Sequence, residues 1–361
     1  MKGISVKASL RKTYFPVVSI LAALILSAVV MKILGFDPIL AITSLISGSF
    51  GSFGAIADTL NKAMPVVMTG LSYAIAKRCG IINLGAEGQL YIGALCATAV
   101  GTNFAGTPAF IHIPLTLAAG FLGGALYGLL VGMMKLRFGA SELITTIMLN
   151  YIAISFVGYC IAYPMKDFTA TSNFPQSFQI LESARLPRIV MNTRLHAGIF
   201  IVIAALLFYH IFLFKTKKGY EMRVIGNNQI AGKYAGMSVN KIGLLSIFIA
   251  GGFAGLGGCI ELIGLQLRLM NGFSINFGFD GIAVALLGSN NSVGILFAGL
   301  LFGALKSGAN KMQMMTNVPT AIVYMIQGFI ILFVSGRALF DFFTLHKASP
   351  VKTSHSESEK V

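Results

Sequence analysis

The sequence predicts an all-α polytopic membrane protein with about ten transmembrane segments in two inverted-topology repeats, both termini cytoplasmic. Three observations carry this expectation. Hydrophobic residues make up 56% of the 361-residue chain and charged residues 11%, where soluble domains carry about 25% charged residues. Mean hydropathy is +0.81, and several apolar runs reach the roughly 20 residues a helix needs to cross hydrocarbon. Finally, residues 82–88 (Ile-Asn-Leu-Gly-Ala-Glu-Gly) return as 275–281 (Ile-Asn-Phe-Gly-Phe-Asp-Gly), each copy glycine-rich with one acid and one carboxamide.

Taken in order, the apolar runs place spans near 15–34, 62–77, 88–103, 112–134, 141–163, 196–214, 242–264, 293–309 and 318–336, with a shorter segment at 279–289. Barrel-type alternation is absent, and lipid-exposed backbone satisfies itself most simply as helix. A basic stretch before an apolar run also describes a signal peptide. The run from Phe15 to Leu34 is too long for that, and no small-residue cleavage site follows, so it is expected to be a retained anchor. Gly120, Gly124, Gly128 and Gly132 recur every fourth residue, as do Gly251 with Gly255 and Gly299 with Gly303 and Ser307. Such faces allow close helix packing.

Orientation follows from the basic residues of the short loops. An inside N-terminus puts Lys2, Lys7, Arg11, Lys12, Lys77, Arg78, Lys135, Arg137, six residues between 215 and 241, and Arg337, Lys347, Lys352 and Lys360 on the inner side. That is 18 of the 27, so the net charge of +15 is mostly a topology signal. A nucleic-acid partner would want a soluble basic face; membrane lipid is the expected contact. With spans two to five repeated as seven to ten, an odd offset inverts the second half, so the two glycine-rich strings lie on opposite sides. Inverted repeats with broken helices are typical of transporters. Residues 1–345 are read as the transmembrane domain and 346–361 as a disordered polar tail.

Two loops stand out. The outer loop 165–195, flanked and punctuated by Pro164, Pro175 and Pro187, reads either as a docking site or as a solvated connector. The inner loop 215–241 contains a short helix capped by Asn227 or Asn228 and stopped at Gly236, with Ile230, Tyr234 and Met237 on one face. Such a helix rests on lipid headgroups or docks into another protein.

Little in the chain carries catalysis. Cys79, Cys96, Cys160 and Cys259 lack disulfide or metal spacing and read as small buried apolar residues. The five histidines are scattered, no P-loop occurs, and no catalytic residue, metal or bound cofactor is expected. Ionisable residues at bilayer depth are costly and mark pairs, wet cavities or interfaces. Glu87, Glu142, Glu261 and Asp280 are the acids of this kind, with Glu142 leaning towards the interface or a coupling role. Glu87 and Asp280 either accept bonds from free helix N-terminal amides or touch a ligand. With them, Asn83, Gln89, Asn150, Gln266 and Asn276 are the candidates for lining a polar path.

Four blocks resemble a known family. Glu221-x-Arg223-x-x-Gly226-x-Asn228-x-x-Ala231, continuing to Gly236-Met237-x-Val239, is similar to the cytoplasmic loop of ABC importer permeases of the ribose and branched-chain amino acid type. Segments 83–94, 142–151 and 278–288 resemble its nucleoside-type branch, in the right order over most of the chain. The resemblance implies a permease subunit in the bacterial inner membrane, without ATPase activity of its own, that takes up purine or related nucleosides. It implies that a partner ATPase holds ATP-Mg and docks on Glu221, Arg223, Gly226, Asn228, Ala231, Tyr234, Gly236 and Met237. A second permease, identical or different, and an extracytoplasmic substrate-binding lipoprotein complete the expected assembly. A pentose, another sugar or a flavin would fit the same scaffold. An ion-coupled secondary transporter using Glu87 or Asp280, or a membrane scaffold built on the glycine faces, are the readings from other classes.

Overall fold

The computed structural model describes residues 2–168 and 174–335, with side chains for 18–168 and 174–334. The predicted tail 346–361 lies outside these residues. No strand occurs among them. The helices are α1 (Lys2–Ile33), α2 (Pro38–Phe50), α3 (Phe53–Arg78), α4 (Ala86–Asn103), α5 (Ala109–Phe138), α6 (Glu142–Ala162), α7 (Gly198–Lys215), α8 (Lys217–Asn227), α9 (Gln229–Tyr234), α10 (Val239–Glu261), α11 (Phe277–Leu287), α12 (Ser292–Thr316) and α13 (Ala321–Ser335). A π-turn, Leu262–Gln266, extends α10. Among the described residues, five helices are long and apolar enough to cross a membrane, or six if the bent pair α2–α3 is one span. The protein is therefore an all-helical, multi-pass membrane protein.

Two boundaries differ from the sequence reading. Residues 38–50, which lie between the expected spans 15–34 and 62–77, form α2, and α3 begins at Phe53 rather than near 62. The local chemistry explains both. Asp37 caps α2 by accepting from the amides of Ile39 (2.9 Å) and Leu40 (3.2 Å), with Pro38 opening the helix. Ser52 caps α3 through the Ala55 amide at 3.1 Å. The two helices meet at 85°. The polar start of α3, with Asp58, Asn61 and Lys62, hid its first turns from a hydropathy reading.

The helix ends gather into two groups. One group joins 101, 163–168, 176–188 and 263–270. Here Ser177 N–H donates to Leu269 O, Ile180 N–H to Leu267 O, Leu181 N–H to Gly101 O and Leu186 N–H to Ile263 O, at 2.9–3.1 Å. The described part of the 165–195 loop is thus knitted onto the end of α10 rather than left as a free connector. Arg268 adds an ion pair to Asp167 at 2.7 Å. The other group joins 78–81, 135–142, 209–240 and 288–291. Arg78 and Tyr209 both donate to Asn290 O, at 3.0 and 2.7 Å, and Lys135 pairs with Glu142 at 2.9 Å. The four cysteines are free, and Cys79, Cys160 and Cys259 are buried.

α10 is the centre of the packing, with every residue from Ile249 to Glu261 except Leu256 buried. It lies against α5 with backbones in contact. A Cβ placed on Gly251 would overlap Gly124 O, and one on Gly255 would overlap Gly120 O. The four-residue glycine spacing is therefore a packing seam, which lets two helices approach where lipid offers no hydrophobic drive for association. Replacing Gly251 by Val is expected to destabilise the protein by about 1–3 kcal/mol through overpacking. Gly328→Ala is the control, since a Cβ there meets nothing within 4 Å. Thermal melts in detergent should show a lowered midpoint for the first and none for the second; equal midpoints would contradict the seam.

Candidate functional site

The two glycine-rich strings meet. α4 and α11 start within the protein, not at its ends, and their first turns touch. Glu87, in the first turn of α4, accepts the amide of Gly278 in the first turn of α11, at 2.5 Å. A Cβ on Gly278 would collide with the Glu87 backbone. Asn276, with φ of +58°, turns the chain into α11 and is exposed. Thr69 of α3 donates to Phe277 O at 2.8 Å. A helix start leaves amides without intrahelical partners, and a carboxylate suits them and the positive end of the dipole.

Asp280 has a different partner. It pairs with Lys306 of α12 at 2.6 Å. The Lys306 ammonium also donates to Ile275 O at 2.7 Å and lies 4.4 Å from the Phe277 ring centroid. The loop entering α11 is thus tied to α12.

The carboxamides are bound to one another and to backbone. Asn83 Nδ2 donates to Gln89 Oε1 (3.0 Å) and to Ser72 Oγ (3.2 Å), while Asn83 Oδ1 accepts from Gln89 Nε2 (3.2 Å) and from the Gly85 amide (3.0 Å). Asn150 of α6 accepts the Gly88 amide at 2.8 Å and donates to Leu84 O at 2.8 Å. All three are buried. Asn83 and Asn150 bond the broken backbone between α3 and α4, Gln89 holds Asn83, and every side-chain nitrogen and oxygen of the three has a partner.

A cavity of about 220 Å³ lies between α3, the end of α10, α12 and α13. Its walls include Lys62, Glu261, Gln266, Phe273, Lys306 and Tyr324. Of the residues singled out as path candidates, Gln266 lines it directly, and Asp280 reaches it through Lys306. Asn83, Glu87, Gln89 and Asn150 stand instead at the α4 start. Lys62, Lys306 and Tyr324 were not singled out, and Glu261 was noted only as a membrane acid. The signal was available, because ionisable residues inside helices of a membrane protein mark pathways. Lys62 and Lys306 stand at or near the ends of the expected spans 62–77 and 293–309, where hydropathy alone does not mark a cavity residue.

At the basic end of α3, which holds Lys77 and Arg78, α8 packs on the helix terminus. A Cβ on Gly226 would overlap Arg78 O. Met222 and Ile225 are buried, Lys218 pairs with Glu221 at 3.3 Å, and Arg223 lies 5.1 Å from the Phe214 ring centroid. Asn228 caps α9 by accepting from Ile230 and Ala231 amides at 2.9 and 3.1 Å. Ile230, Ala231 and Tyr234 are exposed. The expected shared face with Met237 does not form. α9 ends at Tyr234, Gly236 takes φ of +75°, and Met237 turns back half-buried against the core.

A cavity lined by ionisable and aromatic side chains, inside a multi-pass helical bundle with discontinuous helices beside it, is the arrangement that transporter folds build. Residues 55–335 match the family described as branched-chain amino acid transport system, permease component, and the chain belongs to that family. It is 39% identical over 321 residues to the guanosine ABC transporter permease protein NupP of Bacillus subtilis, covering 89% of this chain and 92% of that one. It is 34% identical over 359 residues to the nucleoside ABC transporter permease protein NupB of Lactococcus lactis, covering 97% and 98%. A glucose ABC transporter permease protein of Haloferax volcanii, TsgB13, is 33% identical over 328 residues, covering 88% and 86%. No solved structure matches the chain significantly.

The carboxamide network has a measurable consequence. Asn150→Leu keeps the number and branching of the side-chain heavy atoms but leaves the Gly88 amide and Leu84 carbonyl without partners, costing about 1–3 kcal/mol. A thermal midpoint equal to wild type would show that these bonds do not hold the α4 start.

Proposed function

We propose that this chain is the permease subunit of an ATP-driven importer of nucleosides in a bacterial cytoplasmic membrane. The observation that carries the reading is near full-length similarity to guanosine and nucleoside permeases, combined with a cavity offering aromatic walls and hydrogen-bonding groups. In this reading the helices make about ten crossings, counting the shorter apolar helices and α4 with the long ones. The meeting of 82–88 with 275–281 is then the contact between two inverted repeats, and the termini and the α8–α9 end are cytoplasmic.

Transport follows from the parts. A substrate-binding lipoprotein delivers the nucleoside to the outer end, where the 165–195 loop lies. Two ATPase domains, which hold ATP-Mg, close beneath α9, and a second permease, identical or different, supplies the facing half of the path. Gln266 and the cavity residues Lys62, Glu261, Lys306 and Tyr324 face the substrate. Asn83, Glu87, Gln89, Asn150 and Asp280 hold the helix breaks that shape the cavity, and Asn276 turns the chain at the α11 start. Glu221, Arg223, Gly226 and Met237 seat the coupling helices, while Asn228 and Gly236 bound α9 and present Ile230, Ala231 and Tyr234. The glucose permease relative keeps one other substrate in play.

The test is uptake into proteoliposomes holding the permease, its ATPase and its binding protein. Radiolabelled guanosine should enter only with ATP enclosed on the ATPase side, and glucose should not compete. Uptake driven by a proton or Na⁺ gradient without the ATPase would overturn the reading, and glucose uptake in place of guanosine would redirect its substrate. Coupling is tested separately. Ile230→Asp with Tyr234→Asp should abolish co-purification of the ATPase while leaving the elution profile of the permease unchanged. An intact complex would show that α9 is not the docking element.

A further inference from the structure

The cavity wall carries the hydrogen-bonding pattern of one class of nucleobase, and naming it rests on the nucleoside reading above. Glu261 is 4% exposed, at the end of α10. Its Oε1 accepts from Gln266 Nε2 at 3.1 Å, and the same amide nitrogen donates to Phe273 O at 3.0 Å. Both of those partners are acceptors, so the nitrogen of Gln266 must face them and its oxygen is left for something else. Glu261 Oε2 and Gln266 Oε1 therefore accept no hydrogen bond among the described residues. Two acceptors on adjoining side chains line a cavity inside the membrane-spanning bundle, where an unmet carboxylate oxygen is costly.

The cations of the same cavity are differently engaged. Lys306 is held by Asp280 and Ile275 O. Lys62 donates one N–H to Lys306 O at 2.9 Å, which leaves two donors on its ammonium. Phe273, Phe277 and Tyr324 supply ring surface. At about 220 Å³ the space falls below the roughly 300 Å³ where ordinary small-molecule pockets begin, so it suits a flat ring better than a whole bulky ligand.

We propose that Glu261 and Gln266 read the donor edge of a 6-oxopurine nucleoside. Guanine presents N1–H and N2–H₂ side by side, next to its O6 acceptor. Glu261 accepts from N1–H, Gln266 Oε1 accepts from N2–H₂, and the Lys62 ammonium donates to O6. The aromatic walls stack the ring, an interaction available to any base. Selection comes from the edge. Adenine carries an acceptor at N1, which would face the Glu261 carboxylate lone pair, and a buried group left unmet rejects a ligand more strongly than a missing contact does.

The experiment uses the complete transporter in proteoliposomes, with its binding protein saturated in turn with guanosine, inosine or adenosine. Because every arm shares that binding protein, a change of ratio between wild type and variant belongs to the permease. In Glu261→Gln the guanosine-to-adenosine uptake ratio is expected to fall about 10- to 100-fold, the weight of a hydrogen bond to a charged group. Gln266→Met should lower guanosine uptake more than inosine uptake, since inosine lacks the 2-amino group. Co-purification with the ATPase reports assembly, and if Glu261→Gln does not assemble, the Gln266→Met ratio carries the test. Equal losses for all three nucleosides in assembled variants would overturn the proposal, as would unchanged ratios while wild type imports guanosine. Wild-type transporter that imports no nucleoside would instead fail the functional reading itself, and this inference with it.

Discussion

A helix that begins inside a membrane protein has amides with no water to satisfy them, and the architecture here depends on how two such starts are reconciled. α4 and α11 begin near the level of Thr69, about 14 Å along α3 from its basic end at the α-helical rise. Glu87 answers the problem across the molecule by accepting the Gly278 amide. The carboxylate is stabilised by the amide and by the positive end of α11, and the amide by the carboxylate. Glycine at 278 is required by the same contact, since any side chain would displace the Glu87 backbone. Asn83, held by Gln89, then accepts the Gly85 amide, and Asn150 binds the Gly88 amide and the Leu84 carbonyl at the α4 start. Without these bonds the breaks would be expensive, and without the breaks no irregular backbone would stand beside a cavity.

Charge inside the bundle follows the same economy. A lone charged side chain at bilayer depth costs about 2.5–3.5 kcal/mol on insertion scales, so each is expected to have a partner. Asp280 has Lys306, and Lys306 also has a carbonyl and a ring face. Lys62 has the Lys306 carbonyl. Glu261 is the exception in degree, with one oxygen bonded to Gln266 and the other turned to open space. The difference separates acids that build the scaffold from one that faces the cavity, and neither charge nor burial alone would have drawn that line.

What was legible in the sequence was local. Apolar run length marks most of the spans, and the cap chemistry of Asn228 and Gly236 bounds α9 within a residue or two. The four-residue glycine spacing marks the α5–α10 seam, because a helix face is a property of spacing. What was not legible depends on partners far along the chain. Asn150 meets Gly88 from 62 positions away, and nothing near either residue says whether a carboxamide bonds backbone or faces a cavity. Lys62 looked like the end of a span, since hydropathy cannot see that α3 begins nine residues earlier behind the Ser52 cap. Met237 kept helical spacing with Tyr234 on paper, yet the left-handed Gly236 between them ends that periodicity.

α3 connects these regions into one body. Its end at Arg78 is pressed by Gly226 of α8, beneath the exposed face of α9. One turn and a half further in, Ser72 receives Asn83 and so holds the α4 start, and Thr69 holds the Phe277 carbonyl at the α11 start. At its far half Lys62 stands in the cavity wall. The distance from Arg78 to Lys62 is about 24 Å along a continuous helix, a rise of 1.5 Å per residue over sixteen residues. Pro65 lies within that stretch, one turn before Thr69, whose hydroxyl donates to Phe277 O, so the place where the helix is weakest is also where α11 is attached. A push on α8 therefore meets no flexible linker before it reaches both helix breaks and the cavity. The same contacts that satisfy stranded backbone in lipid make the α8–α9 end and the cavity parts of a single mechanical unit.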